Sequence, residues 1–435
     1  MGESILIKHV DLVNESFELK KDMFIGISDG KIDYISSNEP TKKYDTTKDG
    51  KNKLACPAFY NIHTHLPMVL LRGYAENYAL SDWLNKRVFP FEAQLNSDDI
   101  YYGTLLAQAE MLRFGCISST EMYFSLSRLF EATAESGLKI NASNAIICFD
   151  NENFEALSEY KEYMECLSNE SIKSNPRLKL DMAIHAEYTT NPKIIELASA
   201  MAKQYGMNMH IHLSETKSEH EECKRRRDGL TPAAYFEKLG AFDVPCTAAH
   251  CVYLEGEDFD ILARNGVTVA NNPISNLKLA SGFANIEQML KSGINVGLGT
   301  DGAASNNNLN LFEELKLYAT LNKAVSGDPT LITPSQAIYA ASRAGALSQG
   351  REDCGMLKVG YAADLFLIDT DKPYMHPAHD MLANLVYSAQ GSDVVLTMCD
   401  GKILYENGVY KTIDVEKARY ETEHRAYAIA SKIGG

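Results

Sequence analysis

Basic residues are in short supply in this chain, with 42 Lys and Arg against 58 Asp and Glu and a net charge of −16. A surface of that sign repels a phosphate backbone, which excludes nucleic acid as an expected partner and suits a protein acting on small molecules. Long apolar runs are missing too: no stretch approaches the roughly 20 residues of a membrane span. The start, Met1-Gly2-Glu3-Ser4-Ile5-Leu6-Ile7-Lys8, has neither the basic segment and apolar core of a secretory signal nor the hydroxyl residue of a myristoylation site. The nine cysteines are odd in number, scattered and without a Cys-x-x-Cys pair. That excludes a zinc finger and a disulfide framework, and reads as reduced core thiols in a cytoplasmic protein. Solenoid repeats and low-complexity tracts are absent. Hydrophobic residues make up 45% of the chain, enough to bury a large core.

From about Ala58 to Gly299 the sequence returns to one unit, a short β-rich run followed by a longer helical segment. This is the pattern of parallel strands with crossover helices. Eight strands are expected, at Ala58–Ile62, Ile117–Tyr123, Lys139–Ile147, Leu178–Ile184, Met207–Leu213, Cys246–His250, Val267–Ala270 and Ile294–Leu298. Eight units close a (β/α)8 TIM barrel. One intervening helix is well marked, with Ser97 as N-cap, Asp98 and Asp99 complementing the dipole, Leu105, Ala109 and Leu112 on one face, and Gly115 as its stop. The two ends alternate apolar and polar in short runs, with a hairpin at Asp29-Gly30, and are expected to pair into one small β-sandwich. The expected division is thus 1–57 and 363–435 for the sandwich, the latter with a terminal helix, and 58–362 for the barrel. The polar segment Asn151–Pro176 reads as an insertion over the barrel mouth.

His63 and His65 leave a strand on the same face and can bind one metal. A lone pair of this kind proves little, since a strand histidine is more often a core residue. The joint pattern decides: His212 ends the fifth strand, His250 the sixth, and Asp301 follows the eighth, all at the carboxyl ends where barrel enzymes build their sites. Three imidazoles and a carboxylate suit zinc, with Fe2+ or Mn2+ as alternatives, and leave room for a water made acidic near pH 7. Glu215, three residues past His212, stands where a proton shuttle is needed. His210 shares a face with His212 but lies further down the strand, so His212 is the expected ligand. The run Lys224-Arg225-Arg226-Arg227 reads as a solvated helix face, and His9, His220, His376, His379 and His424 receive no role.

Pro57-Ala58-Phe59-Tyr60-Asn61-Ile62-His63-Thr64-His65-Leu66-Pro67-Met68, His212-Leu213-Ser214-Glu215, Ala249-His250-Cys251-Val252, Asn272-Pro273-Ile274-Ser275-Asn276-Leu277-Lys278-Leu279 and Gly299-Thr300-Asp301-Gly302 together resemble the amidohydrolase superfamily. More narrowly they resemble its 5-methylthioadenosine/S-adenosylhomocysteine deaminase branch, over nearly the whole chain. The resemblance implies one divalent metal held by His63, His65, His212 and Asp301, with His250 in the second sphere, orienting water or the tetrahedral oxygen. It implies that Glu215 protonates ring N1 and that Asp301 passes the water proton to the departing ammonia. It also implies substrate contacts from Trp83, Glu92, His185 and Ser305. Without the resemblance, Trp83 would read as core and Glu92 as a solvated face.

One departure bears on the substrate, a purine nucleoside by this resemblance. Members that accept S-adenosylhomocysteine carry arginines after the third strand, the natural bidentate partners of its carboxylate. Here Lys139-Ile140-Asn141-Ala142-Ser143-Asn144-Ala145-Ile146-Ile147-Cys148-Phe149-Asp150 holds none, and Glu152 and Glu155 follow. The expected substrates are therefore 5′-methylthioadenosine, 5′-deoxyadenosine and adenosine, ahead of S-adenosylhomocysteine unless Arg128 or Arg177 reaches the site. Deamination or dechlorination of another aminated heterocycle, such as guanine, a pterin or an s-triazine, is the alternative. A binding protein on a decayed barrel would have lost a ligand or the shuttle, and none is missing. Assembly into a homo-oligomer is left open.

Overall fold

The computed structural model describes residues 3–150 and 153–434; Met1, Gly2, Asn151 and Glu152, all read above, lie outside them. Its centre is a ring of eight parallel strands in two hydrogen-bonded arcs. One arc runs from Phe59–His65 through Cys116–Met122 and Lys139–Ser143 to Leu178–Leu180. The other runs from Ala145–Ile146 through Met182–Ile184, Met209–Leu213, Cys246–His250 and Thr268–Asn271 to Asn295–Leu298. The third and fourth strands belong to both arcs. The expected single strands Lys139–Ile147 and Leu178–Ile184 are each broken, at Asn144 and Asp181, and each half pairs with a different arc.

Tyr163 spans this seam. Its hydroxyl accepts from the backbone N–H groups of Asn144 (2.9 Å) and Ala183 (3.1 Å) and donates to the carbonyl of Asn144. Tyr163 sits on the helix Ser158–Ser168, which packs beside the helix Leu126–Ser136. The segment expected to cover the mouth is thus a crossover helix on the barrel's flank, recruited there by apolar Tyr163 and Cys166. The mouth is covered instead by the connection after the first strand, with short helical turns at Leu66–Leu71, Leu80–Trp83, Leu84–Val88 and Phe89–Glu92.

At the other junction Asp301 and Gly302 pair with Thr64 and His65, which closes the ring. Closure needs glycine at 299: a Cβ there would lie 2.4 Å from Asn272 Oδ1 and 2.8 Å from His63 Cβ. The long helix expected near residue 97 spans Ser97–Arg113, but its cap is Asn96. Asn96 is extended, its side chain accepts from the Asp98 and Asp99 N–H groups, and Asp99 takes the Asn96 N–H at 2.7 Å. This reciprocal pair satisfies more orphan donors than Ser97 could, and Ser97 becomes the first helical residue.

The two chain ends share one nine-stranded sheet, joined where Lys53–Pro57 pairs antiparallel with Leu365–Asp369. It wraps an apolar core of its own, including Ile7, Leu12, Ile25, Leu365 and Met398. Asp29 and Gly30, both at positive φ, make the expected hairpin turn. The terminal helix Val415–Lys432 lies against Ser97–Arg113. All nine cysteines are buried. No described helix is long and apolar enough to cross a membrane.

Candidate active site

His63 and His65 end the first strand, His212 lies one residue from the end of the fifth, and His250 ends the sixth. Asp301 opens the short pairing that closes the ring. All five are at most 8% exposed. Ligand atoms of His63, His65 and His212 lie within 4.8 Å of one another, as do those of His63, His250 and Asp301. Asp301 Oδ1 is 3.3 Å from both His63 Nε2 and His65 Nε2, and His212 Nε2 is 3.4 Å from His65 Nε2.

Each ring is fixed from behind through Nδ1. His65 donates to the Met122 carbonyl at 2.6 Å, and His212 to the His185 carbonyl at 2.7 Å. His63 Nδ1 meets His210 Nε2 at 3.0 Å, so the rival histidine sits below the cluster and orients a member of it. His250 Nδ1 lies 2.8 Å from Asn276 Oδ1 and 3.2 Å from Asn272 Nδ2, which holds the ring with Nε2 facing Glu215. Anchoring of this kind orients imidazoles for a metal. Asp301 Oδ2 accepts from Ser275 at 2.6 Å and Ser305 at 3.1 Å, while Oδ1 accepts the Gly302 N–H at 2.8 Å and faces the cluster.

The residues fit a divalent cation. His63 Nε2 is buried with no hydrogen bond of good geometry. Burial holds His63 at about 4 and His212 well below the ordinary value, so both keep a free lone pair at pH 7. Burial also disfavours the His65 cation, yet Asp301 and Glu121 outweigh it and lift His65 to about 9. Despite its own burial, Asp301 is held well below the usual carboxylate range by His63 and His65. Positive charge is favoured at the centre of the cluster. Backbone strain gathers here as well: Ser214, His250, Cys251 and Asp301 all have positive φ.

The cluster opens into a pocket of about 760 Å³, the solvent-filled space at its mouth included. Trp83 and Glu92 from the covering turns, His185 and Tyr188 from the fourth connection, Glu215 and Leu279 line it, with Phe124 and Ile147 further out. Ser305 does not line it; its hydroxyl is spent on Asp301. Trp83 is buried, and its Nε1 has no hydrogen-bond partner among the described residues. Glu92 accepts from Tyr123 at 2.6 Å, and burial pushes its carboxyl up to about 7. Glu215 is raised by burial above the ordinary carboxylate value, with Oε2 3.8 Å from His250 Nε2 and Oε1 accepting from Ser281 at 3.1 Å.

Several groups that shape the site escaped the sequence reading. Glu219 accepts the backbone N–H groups of Ser214 (2.9 Å) and Glu215 (2.8 Å), so it fixes the turn carrying the shuttle. Thr216-x-x-Glu219 is a capping-box signature that would have revealed it. Arg226 and Arg227, expected on a solvated face, both bind the fully buried Glu187, at 2.6 and 2.7 Å. A buried carboxylate needs such partners, and Glu187 adjoins Tyr188 of the pocket wall. His220 is buried against Ser214 at 3.1 Å. Neither arginine considered for a carboxylate reaches the pocket: Arg128 is paired with Asp98 at 2.8 Å and Arg177 with Asp400 at 2.8 Å.

Residues 54–404 match the amidohydrolase family. A 5-methylthioadenosine/S-adenosylhomocysteine deaminase of Dictyoglomus thermophilum is 42% identical over 92% of this chain and 93% of its own. A 5′-deoxyadenosine deaminase of Methanocaldococcus jannaschii is 41% identical over 88% of this chain and 90% of its own. Among solved structures, an adenosine deaminase from Xanthomonas campestris with bound zinc superposes with a TM-score of 0.92 at 29% identity, covering 98% of each chain. The chain belongs to the amidohydrolase family, in the branch of the 5-methylthioadenosine/S-adenosylhomocysteine deaminases.

Proposed function

We propose that this protein hydrolyses the C6 amino group of adenine nucleosides with small 5′ substituents, releasing ammonia and the inosine analogue. One observation carries this reading: a carboxyl raised by burial, Glu215, and the histidine cluster open into the same pocket as Trp83, Glu92 and His185, which come from two other connections. His63, His65, His212 and Asp301 are the proposed ligands of one divalent metal, with zinc favoured by the nitrogen-rich donor set. When bound, such an ion makes a water molecule acidic enough to act as nucleophile near neutral pH.

The chain's own groups handle the protons. Glu215, kept protonated longer than a surface carboxyl by its burial, gives its proton to ring N1 as the water oxygen adds at C6, and recovers one from the C6 hydroxyl as the C6–N bond to the amino group breaks. Asp301, anchored through Oδ2 by Ser275 and Ser305, takes the proton of that water on Oδ1 and returns it to the leaving ammonia. His250, with Nε2 turned to the pocket, orients the incoming oxygen. Trp83 covers the base, Glu92 accepts from the ribose hydroxyls, and His185 contacts the purine.

The 5′ end is argued from charge. Among the described residues no lysine or arginine lines the pocket, Ile147 and Phe124 do, and exposed Asp150 lies three residues beyond Ile147. A carboxylate entering there finds no partner and meets like charge. Ammonia release from zinc-loaded protein is therefore expected to give higher kcat/KM for 5′-methylthioadenosine, 5′-deoxyadenosine and adenosine than for S-adenosylhomocysteine. Guanine, a pterin or an s-triazine as best substrate in the same panel would overturn the nucleoside reading.

A further inference from the structure

Glu215 has two carboxyl oxygens, and its surroundings treat them differently. Oε1 points to the buried Ser281, whose hydroxyl lies 3.1 Å away; Oε2 points to the pocket side, 3.8 Å from His250 Nε2. Once the carboxyl has given up its proton, both oxygens can only accept, so the Ser281 hydroxyl then has to donate to Oε1.

The loop that brings Ser281 here is built for the purpose. Ala280 has φ 55° and Gly282 φ 127°, and a Cβ at 282 would lie 3.1 Å from both Tyr253 Oη and Val252 Cγ1. The Ser281 N–H is held by the Asn276 carbonyl at 2.8 Å, while the Asn276 side chain orients His250 at 2.8 Å. One residue thus anchors the partners of both oxygens, Ser281 through its backbone and His250 through its side chain.

We propose that Ser281 is a positioning residue for proton transfer: its hydroxyl occupies Oε1 of Glu215, so that Oε2 is the oxygen that delivers the proton to the substrate and recovers it. The inference rests on the reading of Glu215 as the shuttle. Ser281 touches neither cluster ligand nor pocket, so its effect reaches the reaction only through Glu215.

The test is steady-state deamination of 5′-methylthioadenosine by the zinc-loaded full chain carrying Ser281→Ala, Ser281→Thr or Glu215→Gln. Ser281→Ala is expected to lower kcat about 10–100-fold, the range spanned by one hydrogen bond to a charged group, with KM within about twofold of the parent. Ser281→Thr, which keeps the hydroxyl, is expected to recover most of that loss. The proposal is overturned if Ser281→Ala keeps kcat within about threefold, if its loss is carried by KM, or if Ser281→Thr does no better than Ser281→Ala. Glu215→Gln separates the two layers: near-normal turnover there sinks the shuttle reading itself, whereas an inactive Glu215→Gln beside a normal Ser281→Ala sinks only the role of Ser281.

Discussion

At the scale of single residues, burial does the chemical tuning. Glu215 carries no unusual neighbour in sequence, yet enclosure raises its carboxyl towards the range where it both gives and recovers a proton. Glu215→Gln keeps the shape without the proton, so turnover is expected to fall by about 10²–10⁴ while bound metal, counted by elemental analysis, stays near one per chain. Glu92 shows the opposite side of enclosure. Burial pushes it up to about 7 against the pull of Tyr123 and His65, so the folded chain binds its proton more tightly than the unfolded chain does. The stability this group contributes is full below its unfolded value of about 4.3 and is lost as pH rises through about 7. Glu92→Gln is therefore expected to raise the Tm at pH 8 relative to the parent, through a gain in stability of the order of 1–3 kcal/mol, and to leave it little changed at pH 4.5. The same substitution raises KM at pH 8, where the parent presents a carboxylate to the ribose. An equal or lower Tm at pH 8 would show that the buried charge costs the fold nothing.

At the scale of elements, the parts legible in the sequence were those set by local rules. Strand ends carrying His63, His212 and His250 follow from apolar runs that stop at polar groups, and the hairpin at Asp29-Gly30 follows from turn chemistry. What stayed hidden depends on contacts between distant segments. The breaks at Asn144 and Asp181 carry no breaker residue; they exist because two arcs of the barrel meet there and each strand changes partner. The helix Ser158–Ser168 reads as polar because only Tyr163 and Cys166 are fully buried, with Tyr160, Met164 and Leu167 half-buried against the core, and its docking site is that seam. Trp83 and Glu92 sit on turns too short for a periodic signal, and Arg226 and Arg227 look solvated until the buried Glu187 is seen. Tyr163→Phe tests the seam. It strands two buried backbone N–H groups, and is expected to cost about 2–3 kcal/mol, read as a lower denaturation midpoint, with ammonia release by the surviving folded protein reduced less than tenfold. An unchanged midpoint would mean that water replaces the hydroxyl there.

At the scale of the whole molecule, the proposed ligands come from the first, fifth and eighth barrel units, so a metal on them ties the fifth strand across the ring to the junction where the first and eighth units pair. Anything that binds only the folded state stabilises it, by about 4 kcal/mol when its concentration is a thousandfold above Kd. Removal of metal by a chelator is expected to abolish turnover and lower the Tm, and added zinc to restore both. In Asp301→Ala the Tm is expected not to respond to zinc. A zinc-dependent rise in that variant equal to the parent's would place the ion elsewhere.

Asp301 is also the residue at which the barrel closes, since it and Gly302 pair with Thr64 and His65. His63 and Asp301 are 238 positions apart, from 301 − 63. During synthesis the first two histidines leave the ribosome long before the carboxylate that completes their set. Until the eighth strand arrives, the nascent chain carries only part of the proposed ligand set. On that set, ring closure and completion of the proposed site are a single late event.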